Sequence, residues 1–186
     1  MGNTSQKLSR KNQYQIGLYN LSINANTSTD VLERFRRETE PRISNKQPLL
    51  IIFAIGINDS RYFGDKNIPA VFLDKFKSNL QELFKQASIF TNEILFMGYN
   101  QVVESMTMPD IWVENEYFDN KNVSKYNQAL KNFCDTNKLV FINISSILKS
   151  DDILVEDGLH PNSQGHEKIF NTVKDFLIKN KIVNTT

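Results

Sequence analysis

Four apolar, strand-like runs alternate with four amphipathic, helix-like runs along this chain of 186 residues, and this alternation constrains the fold more than any other feature. The run from Leu49 to Ile55 is continuously apolar, as expected of a strand that is covered on both faces. Strands that alternate with helices at this spacing form a parallel sheet with helices on both sides. The predicted strands are Ile16–Ile23, Leu49–Ile55, Glu93–Tyr99 and Leu139–Ile144.

The helix-like runs place apolar side chains at helical spacing and carry recognisable start signals. The first contains Thr27 and Asp30 at the spacing of a capping box. We expect one α/β domain over residues 1–186, in which residues 1–15 are a poorly defined N-terminal segment, and a long loop over 101–118. The predicted helices are Thr27–Glu40, Pro69–Ala87, Asn122–Thr136 and a last helix that begins near Asn162 or Ser163.

The charge balance and the cysteine count limit the classes of partner and compartment. Lys and Arg number 22 and Asp and Glu number 21, so the near-neutral chain gives no electrostatic reason to expect nucleic acid or a membrane surface as a partner. A single cysteine, Cys134, fits a reducing compartment. No apolar run approaches the roughly 20 residues that span a bilayer, and none resembles a secretory signal. We therefore predict a cytoplasmic protein; the sequence makes no prediction of its oligomeric state.

Two short motifs follow predicted strands, where parallel sheets bind their ligands. Asp157 precedes His160 by three residues across a glycine, so its carboxylate can accept the imidazole Nδ1–H and leave Nε2 free as a base. The alternative is that His160 only hydrogen-bonds a loop. Asn58 follows Gly56 after the most apolar run, where its side-chain N–H could stabilise an oxyanion. A plain turn uses the same residue types.

Taken together, the two motifs resemble those of the SGNH (GDSL-type) hydrolases, a family of esterases and acylhydrolases. The family's third block, Gly-x-Asn-Asp, is matched at 56–59, and its fifth block, Asp-x-x-His-Pro, is matched at 157–161. Its second block, Asn-Leu-Gly-Ile-Ser-Gly-Asp-Thr-Ser, lies over 20–28 with several differences. The resemblance extends over most of the chain, from about Ile16 to Ile178.

The resemblance implies a flavodoxin-like three-layer α/β/α fold with a parallel sheet, and ester hydrolysis by Ser-His-Asp acyl transfer. Carried over by position, His160 is the base and Asp157 orients it. The oxyanion donors are the Asn58 side chain and the backbone N–H of Ala25, which stands where the family has glycine. The implied substrate is a small-molecule ester, and neither a cofactor nor a metal is expected.

The family's first block, a buried strand that ends in Gly-Asp-Ser, has no clear counterpart. Residues before Ile16 contain no apolar run, and the stretch 2–5 has only a faint likeness, with Thr4 where the serine would stand. We therefore expect a sheet that lacks the family's first strand, with unpaired apolar edges, and a hydrolase that is truncated or inactive. The alternative is a non-catalytic module that binds a small molecule or a glycan ester in the same pocket.

Two other groups of residues have side chains that could serve in a site. The acidic residues at 151, 152, 156 and 157, together with His160 and His166, match no metal-site spacing, so no metal site is predicted. Four side chains could line a substrate pocket or equally belong to the core: Tyr99, Asn100, Trp112 and Tyr117.

Overall fold

A computed structural model describes residues 17–44, 47–64, 68–149 and 157–183. One 3₁₀ turn, Glu40–Arg42, follows the first helix. The other elements in chain order are α1 (Ser28–Thr39), β1 (Ile51–Phe53), α2 (Ile57–Ser60), β2 (Tyr62–Phe63), α3 (Leu73–Ala87), β3 (Ile94–Met97), α4 (Glu104–Thr107), β4 (Glu116–Tyr117), α5 (Asn120–Asn137), β5 (Val140–Ile142) and α6 (Ser163–Lys179).

A parallel sheet with the strand order β1-β3-β5 lies at the centre of the fold. Leu95 of β3 is in register with Ile52 on one side and with Val140 on the other. All three strands lie within runs that were predicted from the sequence, although each is shorter than its apolar run. The hydrogen-bonded ladder therefore occupies only the middle of each run.

Helices cover the sheet on both faces, which confirms the three-layer α/β/α prediction. On one face, Phe35, Phe76 and Leu130 of three helices pack in one cluster with the strand residues Phe53 and Phe96. On the other face, α6 packs against a second cluster, which contains Leu95, Ile142, Ile169, Val173 and Phe176. The helices α1, α3 and α5 thus form one layer, and α6 contributes to the other.

The predicted strand Ile16–Ile23 is wrong for the residues that the structure describes. Residues 17–23 form no strand, and Leu18 and Tyr19 are 90% and 62% exposed. A strand requires a neighbouring strand to pair with, and the described residues place none beside this segment. The pattern of apolar residues in this run was therefore not sufficient to predict a strand. Ile16 itself lies outside the described residues.

The helix starts are set by capping and by local bridging. The Thr27 side chain accepts from the Asp30 N–H while the Asp30 carboxylate accepts from the Thr27 N–H at 2.7 Å, which confirms the predicted capping box. The helix α3 begins at Leu73, four residues later than predicted. Pro69 instead bridges to Tyr62, and the Ala70 N–H donates to the Arg61 carbonyl at 2.7 Å.

The segment 101–118 is not one long loop as predicted. It contains the short helix α4 and the strand β4, which pairs antiparallel with β2. The Tyr62 and Tyr117 rings stack across this pair, with centroids 5.4 Å apart. Among the helices that the structure describes, none has the length and apolar character needed to cross a bilayer.

Candidate active site

The predicted oxyanion residue Asn58 lies in the first turn after β1, which is an edge strand of the sheet formed by the described residues. Gly56 makes this turn with φ +118°, and a Cβ there would lie 2.1 Å from the Tyr99 hydroxyl and 2.9 Å from the Phe76 ring. Only glycine meets both requirements, because other residues rarely adopt this φ and none would fit. The close approach fixes the start of α2, and therefore the position of Asn58, against the core.

The Asn58 carboxamide is held by the second segment that the sequence analysis singled out. Its Nδ2 donates to the backbone carbonyl of Asn26 at 2.9 Å. A carboxamide nitrogen carries two N–H groups, so this bond fixes the side chain and uses one of them. The structure thus brings Asn58 to the residue directly after Ala25, across 32 positions of sequence.

Ala25 adopts a left-handed backbone conformation, with φ +59°. This conformation costs a residue with a Cβ about 1–2 kcal/mol. Arg34 holds the surrounding loop, because its Nε donates to Asn26 Oδ1 at 2.9 Å and its Nη1 donates to the Leu21 carbonyl at 2.8 Å. The strained conformation is therefore stabilised by contacts from α1.

Asp157 and His160 form the hydrogen-bonded pair that the sequence predicts. Asp157 Oδ2 lies 2.7 Å from His160 Nδ1, while Asp157 Oδ1 accepts the backbone N–H groups of Leu159 at 2.8 Å and His160 at 2.9 Å. The Asp157 side chain is 5% exposed and that of His160 is 57% exposed. The aspartate is therefore fixed from three sides, and the imidazole remains open to a substrate.

Burial opposes ionisation of the Asp157 carboxyl, but the hydrogen bonds to it act in the opposite direction. The backbone N–H groups of His160 and Leu159, together with the imidazole, outweigh the burial and lower the pKa of Asp157 below its usual value. Asp157 is consequently ionised at neutral pH. A carboxylate beside Nδ1 favours the tautomer in which Nε2 is the free, basic nitrogen.

The Asp157–His160 turn docks on the segment that follows β3. The Gly158 carbonyl accepts the Val103 N–H at 2.9 Å. Gly158 has φ +69°, and a Cβ there would lie 2.8 Å from Met106 Cβ. Because β1 and β3 are adjacent and parallel, the segments after them lie at the same end of the sheet, beyond the carboxyl ends of the strands. Asn58 and the Asp157–His160 turn are thus both attached to that end of the sheet.

A comparison with known protein families finds a match over most of the chain. The model of the GDSL-like lipase/acylhydrolase family matches residues 2–168. The chain belongs to this family. A comparison with curated proteins finds no match.

Solved structures of GDSL proteins share the fold at low sequence identity. A GDSL-like lipase from Bacteroides thetaiotaomicron superposes with a TM-score of 0.64 at 19% identity, over 84% of this chain and 73% of that one. A lipase/acylhydrolase from Enterococcus faecalis gives 0.64 at 17%, over 84% and 72%. An acetylxylan esterase from Geobacillus stearothermophilus, solved as a catalytic mutant, gives 0.59 at 18%, over 82% and 67%. At these low sequence identities, the structural similarity shows that the chain shares the fold of these proteins.

In this GDSL-family chain, a polar cavity of about 670 Å³ opens beside α5. Tyr99 and Asn100 line it, whereas Trp112 and Tyr117, the other predicted pocket residues, do not. Ser145 and Ser146 also line it, although their position after a strand suggests only helix capping. Among the described residues, the lining includes Lys131 and Lys149 and no acidic side chain.

Sequence reasoning assigned no role to Asp59, the last residue of the Gly-x-Asn-Asp block. The structure buries it fully and surrounds it with donors from α1. Its carboxylate accepts the Ser28 N–H at 2.9 Å and the Ser28 hydroxyl. Burial raises the pKa of Asp59, and the Ser28 hydrogen bonds offset part of that rise. Aspartate is a common residue in turns, so its presence at position 59 did not predict a contact with Ser28, which lies 31 positions away in the sequence.

Proposed function

We propose that this GDSL-family hydrolase cleaves small-molecule carboxylic esters by acyl transfer, with His160 as general base and Asp157 as its orienting carboxylate. Family membership supports a hydrolase in general. The observation that carries the specific proposal is the 2.7 Å hydrogen bond between Asp157 Oδ2 and His160 Nδ1. It supports a fixed imidazole whose Nε2 is available for proton transfer.

The proposed reaction has two steps. In the first, Nε2 of His160 takes the proton of a serine hydroxyl, whose oxygen attacks the ester carbonyl; the alcohol leaves with that proton and an acyl-enzyme forms. In the second, water attacks the acyl carbonyl while His160 removes its proton; His160 then gives this proton to the serine oxygen as the bond to the acyl group breaks, and the acid leaves. The serine has no assigned position, and residues 1–16 lie outside the described residues.

The oxyanion of each tetrahedral intermediate would be held by Asn58 and Ala25. Asn58 retains one N–H beyond the bond to the Asn26 carbonyl, and Ala25 supplies a backbone N–H from the adjoining loop. The 2.9 Å contact that joins Asn58 to Asn26 supports a shared position for these donors. Loss of one oxyanion donor typically raises the barrier by about 3–4 kcal/mol.

Hydrolysis of short p-nitrophenyl esters tests the proposal directly. We expect His160→Ala to lower kcat/KM by at least about 100-fold, because a positioned base contributes roughly 10²–10⁴-fold. His166→Ala is the matched control, since His166 lies exposed on α6, and we expect it to leave the rate unchanged. Equal rates for the parent chain and His160→Ala would refute the assignment of the base.

The second candidate is a non-catalytic module that binds an ester in the same region. It is supported by the sequence of residues 1–186, in which no Gly-Asp-Ser block is recognisable, because a chain without the nucleophile would keep a pocket but lose turnover. A fluorophosphonate probe, which labels activated serines, separates the two functions. Labelling that disappears in His160→Ala supports the hydrolase. Saturable ester binding without labelling or turnover, weakened by Asn58→Ala, supports the binding module.

A further inference from the structure

Asp59 links the two segments that carry the proposed oxyanion donors. Asp59 and Ser28 are both fully buried. The carboxylate of Asp59 receives the Ser28 N–H and hydroxyl, and Asn79 Nδ2 of α3 donates to the same hydroxyl oxygen at 2.9 Å. One polar network therefore joins the starts of α1 and α2 to the middle of α3.

We propose that Asp59 is a positioning residue that holds the Ala25–Asn26 loop in register with the Asn58 side chain. The inference rests on the proposed function, because it assigns to those groups the role of oxyanion donors. Its structural part, that Asp59 fixes Asn58 relative to the loop, can be tested without any catalytic activity.

Two consecutive residues of α2 bond to the chain at the start of α1. Asn58 bonds to the Asn26 carbonyl, and the next residue, Asp59, bonds to Ser28, two positions further along. Asn58 and Asp59 are consecutive residues of α2, and their partners Asn26 and Ser28 are two positions apart, so the two bonds together fix α2 against the start of α1. A single bond from Asn58 would leave its carboxamide free to turn with the loop.

A carboxylate is the group that this network requires. The Ser28 oxygen already accepts from Asn79, so the hydroxyl hydrogen points to Asp59, which also receives the Ser28 N–H. Two donors thus face one side chain, and a carboxylate offers only acceptors. An asparagine at position 59 with its oxygen in the place of Oδ1 would put an N–H₂ where Oδ2 accepts the Ser28 N–H at 2.9 Å, so this bond would be lost and the longer contact of 3.1 Å would remain.

Burying a charge contributes little to net stability even when it is well paired. Burial raises the pKa of Asp59 above its ordinary value, although the hydrogen bonds from Ser28 act in the opposite direction. What the network supplies is a fixed geometry at the start of α1, next to the strained Ala25. A positioning role therefore predicts a change in the geometry around Asn58, whereas a purely stabilising role predicts only a change in stability. The test measures the former.

The test follows the side-chain amide of Asn58 by NMR in the ¹⁵N-labelled full chain. In the parent protein we expect two separate Nδ2 proton resonances, with slow exchange of the proton that points to Asn26. In Asp59→Asn we expect the two resonances to shift and that proton to exchange at least about tenfold faster, because the loop can open locally while the protein stays folded. Asp74→Asn is the control, since Asp74 lies 96% exposed on α3, and we expect no change.

A stabilising role alone would give a different result. Asp59→Asn would then lower the unfolding temperature and leave the Asn58 resonances of the folded protein unchanged, which would overturn the proposal. Ester hydrolysis is measured in parallel, where we expect a fall in kcat with little change in KM. An inactive parent chain whose Asn58 amide still responds to Asp59→Asn would refute the proposed hydrolase and retain the structural link.

A titration of the parent chain tests the link should the variant fail to fold. The Asn58 resonances should shift with protonation of Asp59, observed through its carboxyl ¹³C signal, above the ordinary value of 3.8. Within the described part of the chain, three other titratable groups interact electrostatically with Asp59: Asp30 of α1, Tyr99 after β3 and Tyr126 of α5. Asp30 has a lowered pKa and the tyrosines have raised ones, so their transitions are distinct. An Asn58 signal that does not change through the Asp59 transition would contradict the link.

Discussion

At the scale of single residues, the most informative position is Ala25, which holds a left-handed conformation in the proposed oxyanion loop. The family's glycine would adopt this φ without cost, whereas alanine is penalised. Its backbone N–H is unaffected by the substitution, so the donor remains. The penalty therefore falls on stability, while the chemistry of the loop is preserved.

We expect Ala25→Gly to raise the free energy of unfolding by about 0.5–1 kcal/mol, because relief of the left-handed strain exceeds the added chain entropy. Urea unfolding measures the change. Ala54→Gly is the matched control: Ala54 is exposed directly after β1 and has no positive φ, so glycine there should lower stability by about 0.5–1 kcal/mol. A decrease for Ala25→Gly as well would contradict this account.

The site residues differ in how far the sequence could predict their contacts. The Asp157–His160 pair was predictable, because three residues across a glycine turn leave few other partners within reach. The partners of Asn58 and Asp59 were not, since Asn26 and Ser28 are 32 and 31 positions away. Such contacts depend on how α1 and α2 pack, and residue type alone carries no information about that.

At the scale of elements, the turn that carries His160 depends on its fit to the segment after β3. Gly158 combines a positive φ with a position where a Cβ would lie 2.8 Å from Met106 Cβ and 3.1 Å from Val103. Any larger residue would push the turn away from this surface. The imidazole, two residues later, would move with it.

Gly158→Ala should destabilise the protein by more than backbone strain alone and should displace His160. Gly64→Ala is the control, because Gly64 also has a positive φ, +47°, but has no atom within 4 Å of an added Cβ. We expect Gly64→Ala to cost about 1 kcal/mol and Gly158→Ala to cost about 2–4 kcal/mol, since overpacking adds about 1–3. Urea unfolding and the His160 ring resonances measure both effects, and equal costs would show that the contact with Met106 is relaxed.

Helices were more predictable than strands in this chain. The periodicity of apolar residues and the capping signals located α1, α5 and α6, because both are properties of a local segment. The segment 17–23 has a strand-like pattern but no neighbour to pair with in the described structure. Conversely, the two-residue strands β2 and β4 are too short for any pattern, and their pairing depends on the tertiary fold.

At the scale of the whole molecule, the sheet ends at β1, which pairs only with β3 within the residues described. Ile52 in this strand is 38% exposed, although it lies on the same face as the buried Leu95. Alternation of strands and helices was sufficient to predict the three-layer class. It could not predict how completely each face would be covered, because coverage depends on where separate elements meet.

An exposed apolar edge strand promotes association, so we expect Ile52→Thr to reduce concentration-dependent self-association. Threonine keeps the β-branched shape that suits a strand while it removes apolar surface. Ile89→Thr is the control, because Ile89 is 64% exposed but lies in a turn after α3. Sedimentation velocity over a range of concentrations compares the two, and an equal response would assign the effect to general surface polarity instead of the edge.

The close contacts around Gly56 affect what the Gly-x-Asn-Asp motif can indicate about function. Glycine at that position is dictated by a tyrosine hydroxyl and a phenylalanine ring, and the acidic residue three positions later is committed to the start of a helix. Selection for folding alone would keep both the glycine and the aspartate, even in a protein that no longer catalyses the reaction. The asparagine between them also has a structural contact, with the Asn26 carbonyl, so the presence of the whole block does not by itself distinguish an active enzyme from an inactive relative.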